Sequence, residues 1–262
     1  MSQLIDLHVY TNNTRGAKDK ISLMCETAVT KGLRAVAFTD SVELDRFEET
    51  ESRRRLRHAY FDMAKARALF FDSLSVFYGV ELRQAYLKKE LARQIVAAHT
   101  YDLVLTRVSR LPDGTEVRFD PEQTQADFNA MADAYTDALL ETVEDTPFDV
   151  VCGLFAPLRH ATLDYTHFGE RIRPVLHAVA DKEKAIELNT KDILGSDRLR
   201  DLGFELLRDF HAAGGRYVTV GSGCRFHDEI GVGVDQAVLA LRRAGFSIQT
   251  FFDHRLPYEM EL

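Results

Sequence analysis

Short apolar runs alternate with longer stretches of helical period, and the alternation repeats about seven times along the chain. The strand candidates are Leu4–Tyr10, Ala35–Asp40, Ser75–Glu81, Asp102–Ser109, Asp149–Leu154, Ala185–Thr190 and Tyr217–Gly223. Between them the spacing predicts helices over Lys18–Lys31, Ser52–Phe71, Leu87–Ala98, Gln123–Glu144, Phe168–Asp181, Asp197–Ala213 and Val234–Ala244. Runs such as AVAF, VVCGL and YVTVG are apolar without alternation, as expected of strands covered on both faces. In KGLRAVAF, AGGRYVTV and AGFSIQTF a glycine stands between helix end and strand, where a left-handed cap is needed. The stretch Glu43–Arg57 reads as a solvated loop and helix start.

Such alternation implies right-handed βαβ units and a parallel sheet, either closed into a barrel or open and doubly wound. Periodicity alone leaves both open. The first strand–helix turn, YTNNTRGAKDK, lacks a glycine-rich phosphate loop, which argues against dinucleotide binding. In either arrangement chemistry sits where strands end. That rim carries His8 and Tyr10, Asp40 and Ser41, Glu81 and Arg83, Arg107 and Ser109, Leu154, Asn189, and Ser222 through Arg225. Strand ends also carry polar residues simply because they meet water.

Composition narrows the class. The 262 residues are 45% hydrophobic and 28% charged, ordinary for a globular protein. A net charge of −8 argues against nucleic acid as a partner. No apolar run reaches the roughly 18 residues of a membrane span, and the N-terminus enters a strand pattern directly, with no signal-peptide pattern. Cys25, Cys152 and Cys224 are odd in number and widely spaced, which fits a reducing, cytoplasmic setting. The expectation is one barrel domain over residues 1–262 with no linker or repeat.

The rim motifs resemble the PHP superfamily, and within it the histidinol-phosphate phosphatases. DLHVYTNN resembles an Asp-x-His-x-His-Thr opening, and AVAFTDS a segment ending in Thr-Asp-His. YGVELR is similar to a Gly-x-Glu strand and VLTRVSRL to a Ser-Val-His strand end. VVCGLFAPLRH stands for Gly-His-x-Asp, IELNTKDIL for Glu-x-Asn-Thr, and GSGCRFHDEIG for Gly-Ser-Asp-Ala-His followed by acidic-x-Gly. The tail FSIQTFFDHRLPYEM resembles the ending of these phosphatases. The resemblance implies a distorted (β/α)7 TIM-like barrel whose C-terminal rim holds up to three divalent metals for phosphate monoester hydrolysis.

Position by position, the resemblance leaves most metal ligands replaced. His8 and Glu81 are kept. The other histidines of the motifs fall on Tyr10, Ser41 (with Asp40 before it), Ser109, Leu154 and Arg225, and the aspartates on Ala156 and Gly223. Divalent ions want several anionic or imidazole ligands at about 2.0–2.2 Å. A guanidinium about 5 Å from a dication would be repelled by about 6–7 kcal/mol at an effective dielectric of about 20. No cofactor is therefore expected, or at most one divalent metal (zinc, manganese or iron) on His8, Glu81 and a third ligand among His160, Cys152, Cys224 and His227.

The rim instead gathers Arg83, Arg107, Arg110, Arg159 and Arg225, and Arg159 matches a family position beside the substrate phosphate. Guanidinium groups bind phosphate and carboxylate through paired, charge-assisted bonds. Two arrangements are open for Arg225: part of an anion site with Arg107 and Arg159, or an ion pair with Glu81 or Asp40. The resulting expectation is a non-catalytic or anion-binding relative of the phosphatases, taking a small anionic or phosphorylated ligand, with no nucleic acid, membrane or identifiable protein partner. The alternative is a metal-dependent phosphoesterase with a remodelled one-metal site. A metal-free acid–base enzyme using Asp40, His8 or Tyr10 is a third reading.

Overall fold

The computed structural model describes residues 4–118, 122–155, 158 and 163–262. Seven parallel strands follow one another around the sheet: β1 (Ile5–Val9), β2 (Ala35–Phe38), β4 (Ser75–Arg83), β5 (Leu103–Arg107), β6 (Val150–Val151), β7 (Ala185–Asn189) and β8 (Val218–Gly221). A short β3 (Ser41–Glu43) continues the path of β2 along β4, pairing Ser41 with Glu81. The two edges meet at the C-terminal rim, where Gly223 N–H donates to His8 O (2.8 Å) and Tyr10 N–H to Cys224 O (3.1 Å). These bonds curl the sheet into a nearly closed barrel and rule out the open doubly wound alternative.

The helices wrap the outside: α1 (Ile21–Thr30), α2 (Ser52–Leu69), α3 (Lys89–Ala98), α4 (Gln125–Asp145), α5 (Thr166–Asp181), the short α6 (Thr190–Ile193), α7 (Asp197–Ala212) and α8 (Val234–Ala244). Thr124 and Asp127 form a reciprocal capping box that starts α4. Gly245 ends α8 at φ 102°, the left-handed geometry that lets the chain turn back into the next strand. Within the stretch expected to be solvated, Leu44 and Phe47 are buried instead, because β3 carries them onto the apolar side of β4.

Inside the barrel the side chains are layered. Ile5, Leu7, Ala35, Ala37, Leu103, Leu105, Val150, Cys152 and Ala185 form an apolar plug. The period-two alternation then places Glu81 and Arg83, Arg107, and Glu187 and Asn189 above it on β4, β5 and β7. A register shift between Asp6 and Val9 in β1 adds a half-step, so that His8 and Tyr10 as well as Ile5 and Leu7 face inward.

An antiparallel hairpin, β9 (Ile248–Asp253) and β10 (Leu256–Glu261), covers the opposite end. Phe252 closes the apolar plug there, and Arg255 grips Asp149 with two bonds, Nε to Oδ2 (2.9 Å) and a terminal nitrogen to Oδ1 (2.8 Å). The same carboxylate accepts from Val104 N–H (2.9 Å).

Candidate anion site at the barrel rim

The centre of the rim is a chain of buried polar groups. His8 Nδ1 is hydrogen-bonded to Glu187 Oε2, and its Nε2 lies 2.7 Å from the Tyr10 hydroxyl. Tyr10 donates to Glu81 Oε2 (2.9 Å) and accepts from Arg83 (3.2 Å), whose Nε also donates to Glu81 (3.0 Å). Cys152 Sγ lies 3.7 Å from the other Glu81 oxygen, and Arg107 stands 4.0 Å from it. Asn189 Nδ2 donates to Glu187 Oε1 (2.9 Å). Gly221 has no side chain where β8 passes His8 and Glu187; a Cβ there would collide with both.

This packing sets the charge states. Burial pulls the His8 pKa down, but the carboxylates of Glu187 and Glu81 outweigh it and hold the imidazole above its ordinary value. Burial alone would raise Glu81, yet Arg83, His8 and Arg107 bring it down to about 2. Burial pushes the Tyr10 phenol and the Cys152 thiol well up, so both stay protonated. The network therefore favours the charged imidazole of His8 between its two acidic neighbours, with Tyr10 protonated and Glu81 ionised beside Arg83.

Above it lies a cavity of about 180 Å³. Its walls bring together His8, Tyr10, Asn189, Arg107 and Arg225 of the residues singled out in the sequence, and add Lys191. The Arg107 Nε–H is buried and has no acceptor among the described residues. Arg225 pairs with neither Glu81 nor Asp40: it donates to Arg15 O (3.0 Å) and lies 5.4 Å from the Tyr10 ring centroid. Lys191 Nζ donates to Gly223 O (3.2 Å). Gly153 and Gly223 keep the walls thin; a Cβ on either would press on Arg107 or Asn189 at about 3.1 Å.

Other residues singled out in the sequence are employed elsewhere. Asp40 faces the loop after β1, accepting from Thr11 N–H, Thr11 Oγ1 and Thr14 Oγ1, each at 2.7 Å. Burial raises its pKa. Asp6 is held similarly by Ser222 N–H (2.9 Å), Ser222 Oγ (2.6 Å) and Gly231 N–H (2.9 Å), and burial raises it too. Ser41 donates its N–H to Thr14 (2.9 Å), and Ser109 bonds to Gln84 (3.2 Å). None of these lines the cavity. Arg110 is consumed by Glu43 and Asp45, and His227 turns outward to Asp19 (3.0 Å). Ala156, Arg159 and His160 lie outside the described residues.

Two participants escaped the sequence reading. Glu187 was legible only as part of IELNT, and nothing near it in sequence announces His8, 179 positions away. Lys191 sits two residues past Asn189, which caps α6 by accepting from Lys191 N–H (3.1 Å) and thereby turns the lysine to the rim.

His8, Glu81 and Cys152 can bring one donor atom each within 4.8 Å of one another. A cluster of several dications does not fit this donor set. Both imidazole nitrogens are engaged, the Tyr10 hydroxyl stands between His8 and Glu81, the thiol keeps its proton, and two guanidiniums adjoin Glu81.

Fold and rim together define a TIM-like parallel barrel of seven strands with an ionisable C-terminal mouth. Residues 6–191 match the PHP domain model, and the chain belongs to the PHP domain family. The histidinol-phosphatase of Lactococcus lactis is 21% identical over 254 residues, covering 92% of this chain and 91% of that protein. The crystal structure of histidinol phosphate phosphatase from that species, complexed with zinc, L-histidinol and phosphate, gives a TM-score of 0.85 at 19% identity, over 98% of this chain and 99% of the other. A structure from Listeria monocytogenes gives 0.68 at 12% identity, over 88% and 99%. Among the described residues no helix is long and apolar enough to cross a membrane.

Proposed function

We propose that this barrel binds a small anionic or phosphorylated ligand at its rim, with cationic side chains in place of the family's metal cluster, and that it is not a phosphatase. One observation carries the reading: the Tyr10 hydroxyl bonds both surviving ligand positions, His8 and Glu81, while Arg107, Lys191 and Arg225 face the cavity beside them. Arginine and lysine suit phosphate oxygens, and a buried guanidinium N–H without an acceptor is a donor held ready for one. At about 180 Å³ the cavity falls below the roughly 300–1,000 Å³ of pockets that enclose drug-sized ligands, which favours a compact anion or the charged head of a larger molecule.

The test is calorimetric titration of the purified protein with inorganic phosphate, alongside metal analysis. Binding that weakens at least about tenfold in Arg107→Ala supports the reading, with less than about a tenth of an equivalent of zinc, manganese or iron in the protein. No phosphate binding, or p-nitrophenyl phosphate turnover that rises with added metal, overturns it.

A second reading keeps one metal, because His8, Glu81 and Cys152 converge. It requires a stoichiometric ion that is lost in both His8→Ala and Cys152→Ser.

A further inference from the structure

Of the three cations facing the rim cavity, Arg225 is the one whose place depends on a distant part of the chain. Arg107 ends β5 inside the barrel, and Lys191 stands on the first turn of α6. Arg225 follows β8 in a loop and is held at both its backbone and its head. Its N–H donates to the Glu229 carboxylate (3.2 Å), and its guanidinium donates to the carbonyl of Arg15 (3.0 Å), 210 positions away. The Tyr10 ring lies beside the head, its centroid 5.4 Å from Cζ. The guanidinium makes no ion pair among the described residues, so its charge and its remaining N–H groups are available to the cavity.

Arg15 and Gly16 form the crown of the loop between β1 and α1, and that loop is fastened on both flanks. On one side Thr11 and Thr14 bond Asp40. On the other, the Asp19 carboxylate accepts from His227 N–H (2.7 Å), and the Asp19 carbonyl accepts from Asn12 N–H (2.9 Å). Gly16 stands at φ 86°, in the left-handed region, and a Cβ there would lie 2.6 Å from Arg225 Nη1. The turn on its own would admit asparagine, which tolerates that backbone. The contact is stricter and leaves room for hydrogen alone. Any side chain at Gly16 would push the guanidinium aside, because the far end of an arginine yields more readily than a loop pinned on both flanks.

We propose that Gly16 is a positioning residue of the rim site: it lets the β1–α1 loop close on Arg225 and so fixes that guanidinium as the outer donor to a bound phosphate group. This role rests on the rim being an anion site. A head held in place before the ligand arrives spares binding the cost of ordering a long side chain. The coupling is reciprocal, since a phosphate that fixes Arg225 also steadies Arg15 and Gly16 against it.

The experiment is a double-mutant cycle on the full chain, with inorganic phosphate titrated calorimetrically into wild type, Gly16→Ala, Arg225→Ala and the double variant. Gly32→Ala is the control, because Gly32 is also left-handed (φ 74°) but a Cβ there meets nothing within 4 Å. Gly16→Ala and Arg225→Ala are each expected to weaken phosphate binding at least about fivefold, and Gly32→Ala less than about twofold. Once Arg225 is gone, Gly16→Ala is expected to add less than about twofold. An unchanged affinity in Gly16→Ala, an equal loss in Gly32→Ala, or a loss that persists in full without Arg225 overturns the proposal. Arg107→Ala is run beside these variants. Phosphate binding that falls in Arg107→Ala but not in Gly16→Ala refutes the positioning role alone, whereas no binding by the wild type refutes the anion site along with it. A second readout needs no glycine variant. In isotope-labelled protein the Arg15 and Gly16 amide resonances should shift with phosphate in the wild type and stay still in Arg225→Ala. If they ignore phosphate in the wild type while the Asn189 amide responds, the proposal is overturned as well.

Discussion

Asp6 and Asp40 are met only by neutral donors from backbone, serine and threonine, whereas Glu81 and Glu187 are met by arginine and histidine side chains. All four carboxylates are buried at the same mouth. In the first pair each acid fastens a loop to a strand end, and burial raises its pKa because hydrogen bonds alone do not repay lost hydration. In the second pair Glu187 meets His8, while Arg83, His8 and Arg107 overcome burial and hold Glu81 ionised. The difference separates acids that shape the rim from acids that hold positive charge in it.

Replacing Glu81 by Gln tests this most severely. It leaves Arg83 and Arg107 without their counter-charge, and urea unfolding should show a loss of about 3–5 kcal/mol. Asp40→Asn keeps an acceptor for the threonine hydroxyls and should cost less, about 1–3 kcal/mol. The opposite ranking would erase the distinction.

Glu81 on one side and Asp6 with Asp40 on the other predict opposite pH slopes. Glu81 falls from 4.5 to about 2 on folding, so between those values the unfolded chain binds the extra proton and stability rises with pH. This term is on the order of 3 kcal/mol, present above about pH 4.5 and lost on acidification towards 2. Asp6 and Asp40 are raised from 3.8, so the folded state holds their protons longer and stability falls as pH climbs from 3.8 through their folded values. Glu81→Gln should flatten the rising limb, and Asp40→Asn should soften the falling one.

Smaller effects sharpen the picture at single atoms. Tyr10→Phe removes the hydroxyl shared by His8 and Glu81, and thermal unfolding should record a loss of about 1–2 kcal/mol. Gly223→Ala forces a side chain into φ 57° and against Asn189, at about 1 kcal/mol, and should weaken phosphate binding more than it lowers stability.

The seven strands were legible because each is a short, mainly apolar run between helical stretches, and their observed ends fall inside the ranges read from sequence except on β4, which runs on to Arg83. The β9–β10 hairpin was not resolved as strands from the tail. Its turn uses His254 and Arg255 at φ 50° and 66°, with no asparagine–glycine pair to advertise it. Of the site, His8, Tyr10 and Glu81 could be read from motif positions, but their bonding could not. Sequence offered Arg225 as the partner of Glu81, whereas Arg83, two residues along the same strand and on the same face, takes that role. Arg110 and His227 looked equally available, and only the fold brings Glu43, Asp45 and Asp19 to them.

The grip of Arg255 on Asp149 bears on how the molecule comes apart. Arg255 stands 106 residues after Asp149, whose carboxylate has as its other partners among the described residues the Val104 N–H (2.9 Å) and Lys184 at 3.5 Å. A barrel assembled without its hairpin would therefore hold a buried acid short of its two-bond cation, so the hairpin and the β5–β6 pairing are expected to be lost together.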